Sequence, residues 1–360
     1  MLKFAGKLLS FALLALVLQV LFVLDYTPAP VTQARSSIAD KFRAISVRWP
    51  PLNAYRPDAE IMTFQRYMKT DSRMGFLFRE NLGSTEPLKV KWADQNAATL
   101  TTDEIGFINS ASALKARREG RRIQIVGVGS SFMQGAAGQL HDFFMGKGAF
   151  YYNMATPRQT LPQFTTAVKE FAIRERPDWI LYDLNETSCE LIEDYENWSR
   201  SGLDWFTYHS GTWCGPPQRP GLPLLDRVPA AAALYHSIRR RIAPEAPIPK
   251  TSDEETVRKA LGYIVAAYEA AHANGIRFLV VVIPGKWTTI YGKGERWRNI
   301  GALLPLLERA GVPVLNLLDT FSKEEYPQAL YYEVDAHWND YGILTAGVAI
   351  SEYLESAGGL

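Results

Sequence analysis

The chain is 360 residues long, 47% hydrophobic and 21% charged, with a formal net charge of +1. That composition can bury one sizeable core plus an appendage and excludes a disordered polyelectrolyte. Near-neutral charge, with no basic stripe interleaved with aromatics, gives no reason to expect a nucleic-acid partner.

Lys3 and Lys7 precede an apolar run at 8–24 that only Ser10 and Gln19 interrupt. As a helix this run spans roughly 26 Å at about 1.5 Å per residue, nearly enough to cross a bilayer. Positive charge before it and Asp25 after it place the N-terminus in the cytoplasm and everything downstream outside. A cleaved signal peptide is the rival reading, but Asp25-Tyr26-Thr27-Pro28 offers no small-x-small cleavage site. Residues 1–25 are therefore expected to be a single, uncleaved membrane anchor. Residues 26–60, rich in Pro and Ala, read as a stalk. Short apolar pieces at 74–78 and 105–108 read as short strands, which makes 26–115 a stalk and short-strand appendage.

From residue 116 to 360, strand-like and helix-like segments alternate. Strands are expected at 123–128, 149–153, 179–184, 278–283 and 312–315. Amphipathic helices are expected at 165–176, 254–274, 297–310 and 341–355. Such alternation predicts an α/β fold, a parallel sheet with helices on both faces and ligands at the carboxyl ends of the strands. A long insertion at 186–252, holding Trp198, Trp205, Trp213 and a proline-rich run, interrupts the pattern and reads as a lid, a substrate platform or padding. Cys189 and Cys214 both fall in it. In an oxidising compartment they are expected to pair across a loop of about 25 residues, worth roughly 3 kcal/mol in the chain-entropy model. Five scattered histidines, without CxxC or HExxH, leave little from which to build a metal site, and no cofactor is implied.

Two segments carry chemistry. Gly129-Ser130-Ser131-Phe132 follows the first strand of the α/β region, so a serine sits on a small-residue turn that leads into a helix. Asp335-Ala336-His337-Trp338 puts a carboxylate two residues before an imidazole, close enough to hold Nδ1–H and leave Nε2 as a base. Ser131, His337 and Asp335 thus fit nucleophile, base and orienting acid. Backbone N–H groups after Ser131, and the amide of Asn185 at the end of another strand, are placed to meet an oxyanion. Each residue has an ordinary alternative: a helix cap for Ser130, Ser131 or Asp335, and a turn bond for Asn185. Caps, however, have no reason to gather at one edge of one sheet.

These blocks resemble the SGNH (GDSL-like) hydrolase superfamily over about residues 121–360, in the usual order. The Gly-Asp-Ser block matches Gly129-Ser130-Ser131, with Ser130 in place of Asp. The oxyanion Asn block matches Asp183-Leu184-Asn185-Glu186, and the oxyanion Gly block resembles Asn153-Met154-Ala155-Thr156-Pro157, with Ala155 in the Gly position. In motifs the nearest branch is the periplasmic alginate-type polysaccharide O-acetyltransferases, which share a small hydroxyl residue before the nucleophile and Asp-x-His-Trp. They also carry Pro-x-Lys followed by Tyr, resembling Pro284-Gly285-Lys286 and Tyr291. Here, however, Asp-x-His follows the nucleophile block instead of preceding it, so alginate itself is not carried over. The resemblance implies an SGNH-like three-layer α/β/α domain and substrate contacts from Lys286, Tyr291 and Trp338.

The expected function is an inner-membrane-anchored, periplasmic O-acyltransferase that moves an acetyl group onto a cell-envelope or secreted polysaccharide. Its acetyl donor would be delivered by a multi-spanning membrane partner, since nothing in this chain carries acetyl groups across a bilayer. The alternatives are a carbohydrate esterase with the same triad, and a catalytically silent polysaccharide-binding or assembly protein.

Overall fold

The structure, a computed structural model, describes residues 67–83, 88–90, 98–208, 253–294, 297–332 and 336–359. The expected anchor and stalk, residues 209–252 of the insertion, and Asp335 lie outside these residues. Among the described residues no helix is long and apolar enough to cross a membrane.

Two short antiparallel pairs come first. β1 (Met68–Asp71) pairs with β2 (Gly75–Phe78), and β3 (Leu88–Val90) with β4 (Ala98–Leu100). The expected strand at 105–108 forms only one bridge, Thr102 to Ile108. Asp103 explains why: its Oδ1 accepts from the N–H groups of Ile105, Gly106 and Phe107, which curls the chain. Ser110 then caps α1 (Ala111–Arg118) by accepting from Ala113 N.

The α/β region follows in chain order: β5 (Ile125–Val128), α2 (Ser131–Gly135), α3 (Ala137–Gly146), β6 (Tyr151–Asn153), α4 (Leu161–Glu170) and β7 (Trp179–Asn185). After α5 (Ile192–Ser201), α6 (Trp205–Tyr208) and α7 (Asp253–Ala273) come β8 (Arg277–Ile283), α8 (Lys286–Tyr291), α9 (Arg298–Arg309), β9 (Val314–Asn316), α10 (Leu318–Phe321) and α11 (Asp340–Ser356). The five strands β5 to β9 form one parallel sheet in the order β6-β5-β7-β8-β9.

Alternation along the strands divides the core. Val126, Val128, Ile180, Tyr182, Leu184, Phe278, Val280 and Val282 face α4, α7 and α9 through Phe164, Ile264, Ile300 and Leu303. Ile125, Trp179, Leu181, Leu279, Val281 and Ile283 face α3 and α11 through Leu140, Phe144, Ile343 and Ile350. Helices thus cover both faces, as a parallel sheet requires, because neither face can be left in water.

The helix expected at 165–176 begins earlier, at Leu161, because Thr160 and Gln163 form a capping box in front of it. It ends in a 3-10 turn (Ala172–Glu175) that stops at Arg176, which has φ 49. The described start of the insertion is core packing. Trp198 and Trp205 are 5% and 3% exposed and cluster with Tyr67, Met68, Phe76 and Phe78 of the first hairpin. A Cβ on Gly75 would run into the Trp205 ring, so that turn needs its glycine, at φ 78.

The strand order matters for function. Chain connections leave β5 toward β6 on one side and reach β7 on the other, so the switch point of the sheet, the place where open α/β sheets take their ligands, lies at the carboxyl ends of β5 and β7. The turn with Ser131 and the strand end with Asn185 lie at that point.

Candidate active site

β5 ends at Val128, and the chain turns through Gly129 and Ser130 into α2. Gly129 must be bare because β7 comes close: a Cβ there would collide with the Asp183 side chain. Ser130 is the N-cap of α2, its Oγ accepting from Phe132 N at 3.3 Å. It also donates twice to Asp183 Oδ2, from its backbone N at 2.9 Å and from Oγ at 2.6 Å. The cap expected for one of the two serines thus falls on Ser130, which leaves Ser131 one residue on, at the first helical position.

Ser131 is half-buried, and its Oγ lies 2.8 Å from His337 Nε2. Sequence separation of 206 residues is bridged by the loop that leads into α11. That loop is held from three sides. Tyr332 N donates to His337 O, Lys286 Nζ donates to Tyr332 O at 2.6 Å, and Trp338 Nε1 donates to Phe132 O at 2.9 Å. The Phe132 ring packs on the imidazole, with centroids 4.6 Å apart. Asn339 caps α11 by accepting from Tyr341 N and Gly342 N, and so fixes where the loop ends.

The other expected site residues are placed as follows. Asn185 is 2% exposed and stands at the same edge as Ser131, but both protons of its amide are engaged. They go to Ser130 Oγ at 2.8 Å and Asp183 Oδ1 at 3.1 Å, while its own Oδ1 accepts from Thr187 N and Oγ1. The backbone N–H of Ala155, expected as a second oxyanion donor, is turned to Asn153 Oδ1 at 3.1 Å. Trp338 departs from the expected substrate contact: it is 2% exposed, and its indole ties the His337 loop to α2. Lys286 is half-buried against the Tyr332 carbonyl. Tyr291 is open to solvent, 76% exposed. Cys189 carries a free, buried thiol, and Cys214, with which it is expected to pair, lies outside the described residues.

Sequence reasoning gave Asp183 no role. Its carboxylate is fully buried, and it holds Ser130 and Asn185 together beneath the turn that carries Ser131. Burial raises its pKa, against which the bonds from Ser130 and Asn185 and the charge of His337 act to lower it. The signal was present: an acid amid the apolar residues of β7, on the face it shares with Trp179 and Leu181. A carboxylate there is costly unless donors meet it.

Chemically, the arrangement presents a hydroxyl within hydrogen-bond reach of an imidazole nitrogen, at the carboxyl end of a parallel sheet. No protein-family model matches the chain, and comparison with curated proteins yields no relative. Among solved structures, the chain is similar to a GDSL-like lipase from Bacteroides thetaiotaomicron at 15% identity, over 69% of this chain and 98% of that one, with a TM-score of 0.38. It is similar to a lipase/acylhydrolase from Enterococcus faecalis at 10% identity, over 65% and 97%, with a TM-score of 0.39. It is also similar to an acetylxylan esterase from Geobacillus stearothermophilus at 10% identity, over 66% and 95%, with a TM-score of 0.40.

Proposed function

We propose that this chain is a serine O-acyl enzyme, exported and membrane-anchored, that transfers an acetyl group to a hydroxyl of a cell-envelope or secreted polysaccharide. The observation that carries the reading is the 2.8 Å approach of Ser131 Oγ to His337 Nε2 at the sheet's switch point. His337 takes the Ser131 proton as Oγ attacks the donor's ester carbonyl, and returns it to the leaving oxygen, so that acetyl-Ser131 and the donor alcohol result. A sugar hydroxyl then gives its proton to His337 and attacks the acetyl carbonyl. Ser131 leaves with that proton, which restores the enzyme. Asp335 would orient the imidazole.

The oxyanion falls to the Ser131 backbone N–H, which has no intrahelical acceptor at the first turn of α2. Asn185 joins it by exchanging Ser130 Oγ for the charged oxygen. Lys286 shapes the pocket by fixing the His337 loop. A multi-spanning membrane partner supplies the acetyl donor.

The test uses the purified full chain with 4-nitrophenyl acetate and unacetylated oligosaccharides, followed by mass spectrometry of the sugars. Acetylated sugar, lost together with nitrophenol release in Ser131→Ala, supports transfer. Free acetate without acetylated sugar replaces the reading by a carbohydrate esterase using the same residues. Full activity in Ser131→Ala sinks both.

A further inference from the structure

Of the six described tryptophans, Trp179, Trp198, Trp205, Trp297 and Trp338 are 2–5% exposed, whereas Trp287 is 46% exposed. Tyr291, one helical turn further along α8, is 76% exposed. Their rings are near parallel, at 12° with centroids 5.7 Å apart, and form one staggered aromatic surface open to water. A single exposed apolar side chain is ordinary on a folded surface, but here two neighbouring rings stand in water together, and leaving an indole half exposed forgoes part of the roughly 1.5–3 kcal/mol that burying a large apolar side chain gives.

The position of α8 gives the pair a purpose. The helix leaves the carboxyl end of β8 through Pro284 and Gly285 and is bound to the catalytic loop. Lys286 Nζ donates to Tyr332 O at 2.6 Å, Tyr332 N donates to His337 O at 3.1 Å, and Thr289 Oγ1 meets Tyr331 Oη at 2.7 Å. The two rings therefore stand on the element that braces His337, on the same edge of the sheet as Ser131. Their surroundings are polar: the Lys286 ammonium lies 5.9 Å from the centre of the Trp287 ring, and exposed Gly292 and Lys293 follow.

We infer that Trp287 and Tyr291 form a stacking subsite for pyranose rings of the glycan whose hydroxyl or ester is presented to Ser131. A ring face carries partial negative charge and attracts the C–H groups of an apolar sugar face, while the sugar's hydroxyls stay in contact with water. Two rings in a polar frame suit one or two sugars. A protein partner needs about 800 Å² on each side, far more than two rings offer. The inference rests on the glycan reading of the same site and adds where the chain of sugars runs.

The experiment compares 4-nitrophenyl acetate with a panel of O-acetylated xylan, mannan, glucan and uronan oligosaccharides, using the full-length enzyme. On the best-used oligosaccharide, Trp287→Ala and Tyr291→Ala are each expected to raise KM about tenfold, a stacking contribution of about 1.4 kcal/mol. The ratio of kcat/KM between oligosaccharide and nitrophenyl ester falls with it. Trp287→Phe, which keeps a ring face, retains most of the preference, and Trp287→Leu, which keeps only apolar bulk, does not. Equal proportional losses on both esters, rescue by leucine, or no oligosaccharide used better than 4-nitrophenyl acetate overturns the subsite.

Titrating Ser131→Ala with the unacetylated form of that oligosaccharide, followed by tryptophan fluorescence, separates the two failures. Quenching lost in Trp287→Phe/Ser131→Ala relative to Ser131→Ala places the sugar on Trp287 whether or not Ser131 proves catalytic. No quenching at all removes the subsite and leaves the ester chemistry standing.

Discussion

Ser130 Oγ donates to Asp183 Oδ2 at 2.6 Å, so the residue before Ser131 is fastened to the neighbouring strand by a buried carboxylate. The same hydroxyl accepts from Asn185 Nδ2 and from Phe132 N, which uses its full bonding capacity. Asp183→Asn would place an amide N–H₂ against either Ser130 or the Asn185 amide, two donors facing each other. Turning Asn185 to avoid this breaks its bonds from Thr187. We expect kcat on 4-nitrophenyl acetate to fall about tenfold to a hundredfold, as losing a charge-assisted buried bond implies. Ser130→Thr, which keeps the hydroxyl, should lose less than Ser130→Ala. Equal kcat in all variants would show that the network does not position Ser131.

Asp183 also makes stability depend on pH with a defined sign. Burial lifts its carboxyl above the ordinary carboxylate range, so folding takes up a proton at pH values between the unfolded and folded pKa. Such a group contributes its stability in full below about pH 3.9, and loses it as pH rises toward the folded pKa. The melting temperature of the wild type, measured relative to Asp183→Asn, should therefore fall from pH 4 to pH 8. A difference that rises over that range would mean a depressed pKa and a carboxylate stabilised by its donors.

Trp338 predicts how tightly the imidazole is held. Trp338→Phe keeps most of the buried ring but removes the donor to Phe132 O, the bond that ties the His337 loop to α2. Phe132 O keeps the N–H of Ala136 at 3.3 Å, so the expected stability cost is about 0.5–1.5 kcal/mol, that of one net hydrogen bond. Because His337 is the neighbouring residue, kcat should fall several-fold with KM little changed. If kcat stays at the wild-type value while stability drops, the bond is structural only and the loop is set by Asn339 and Lys286.

The sequence shows some of this and conceals the rest for physical reasons. The four longest expected helices and the five strands of the sheet are legible because hydrophobic period survives in them; β7 and β8 are seven residues each and buried nearly throughout. The serine turn and the histidine are legible as residue types in an order. What is not legible is the state of each donor. The Asn185 amide and the Ala155 N–H look available in one dimension, yet each is satisfied by a partner that only folding brings near or that the local turn supplies. The resemblance makes Trp338 a substrate contact, since nothing in the chain announces that Phe132 O lies 2.9 Å from its indole.

Gly106 should be the least replaceable residue of the N-terminal described segment. It has φ 118, and a Cβ there would run into the Phe78 carbonyl. Its N–H donates to Asp103 Oδ1 at 2.7 Å, and Asp103 Oδ2 accepts from Tyr152 Oη at 2.6 Å, so a shift is passed on to β6. Gly106→Ala is expected to cost at least about 2 kcal/mol, combining backbone strain with a steric clash. Equilibrium denaturation of the two proteins measures it, and a difference below about 0.5 kcal/mol, the range of ordinary surface substitutions, would mean that the turn relaxes freely.

Cys189 provides a test that bears on both packing and export. Its thiol is free and 3% exposed, within the cluster that holds Tyr182, Leu184 and Ile192. Burial pushes its pKa up to about 12, so at pH 8 almost none of it is thiolate, the form that reacts with disulfides and alkylating agents. Native protein should therefore show no labelling of Cys189 by iodoacetamide over the time in which a small-molecule thiol reacts completely. Unfolding in guanidinium without reductant should make it react, and peptide mass spectrometry would locate the label. If Cys189 stays unlabelled until a reductant is added, and a Cys189–Cys214 peptide is recovered, the bridge expected for an oxidising compartment forms after all.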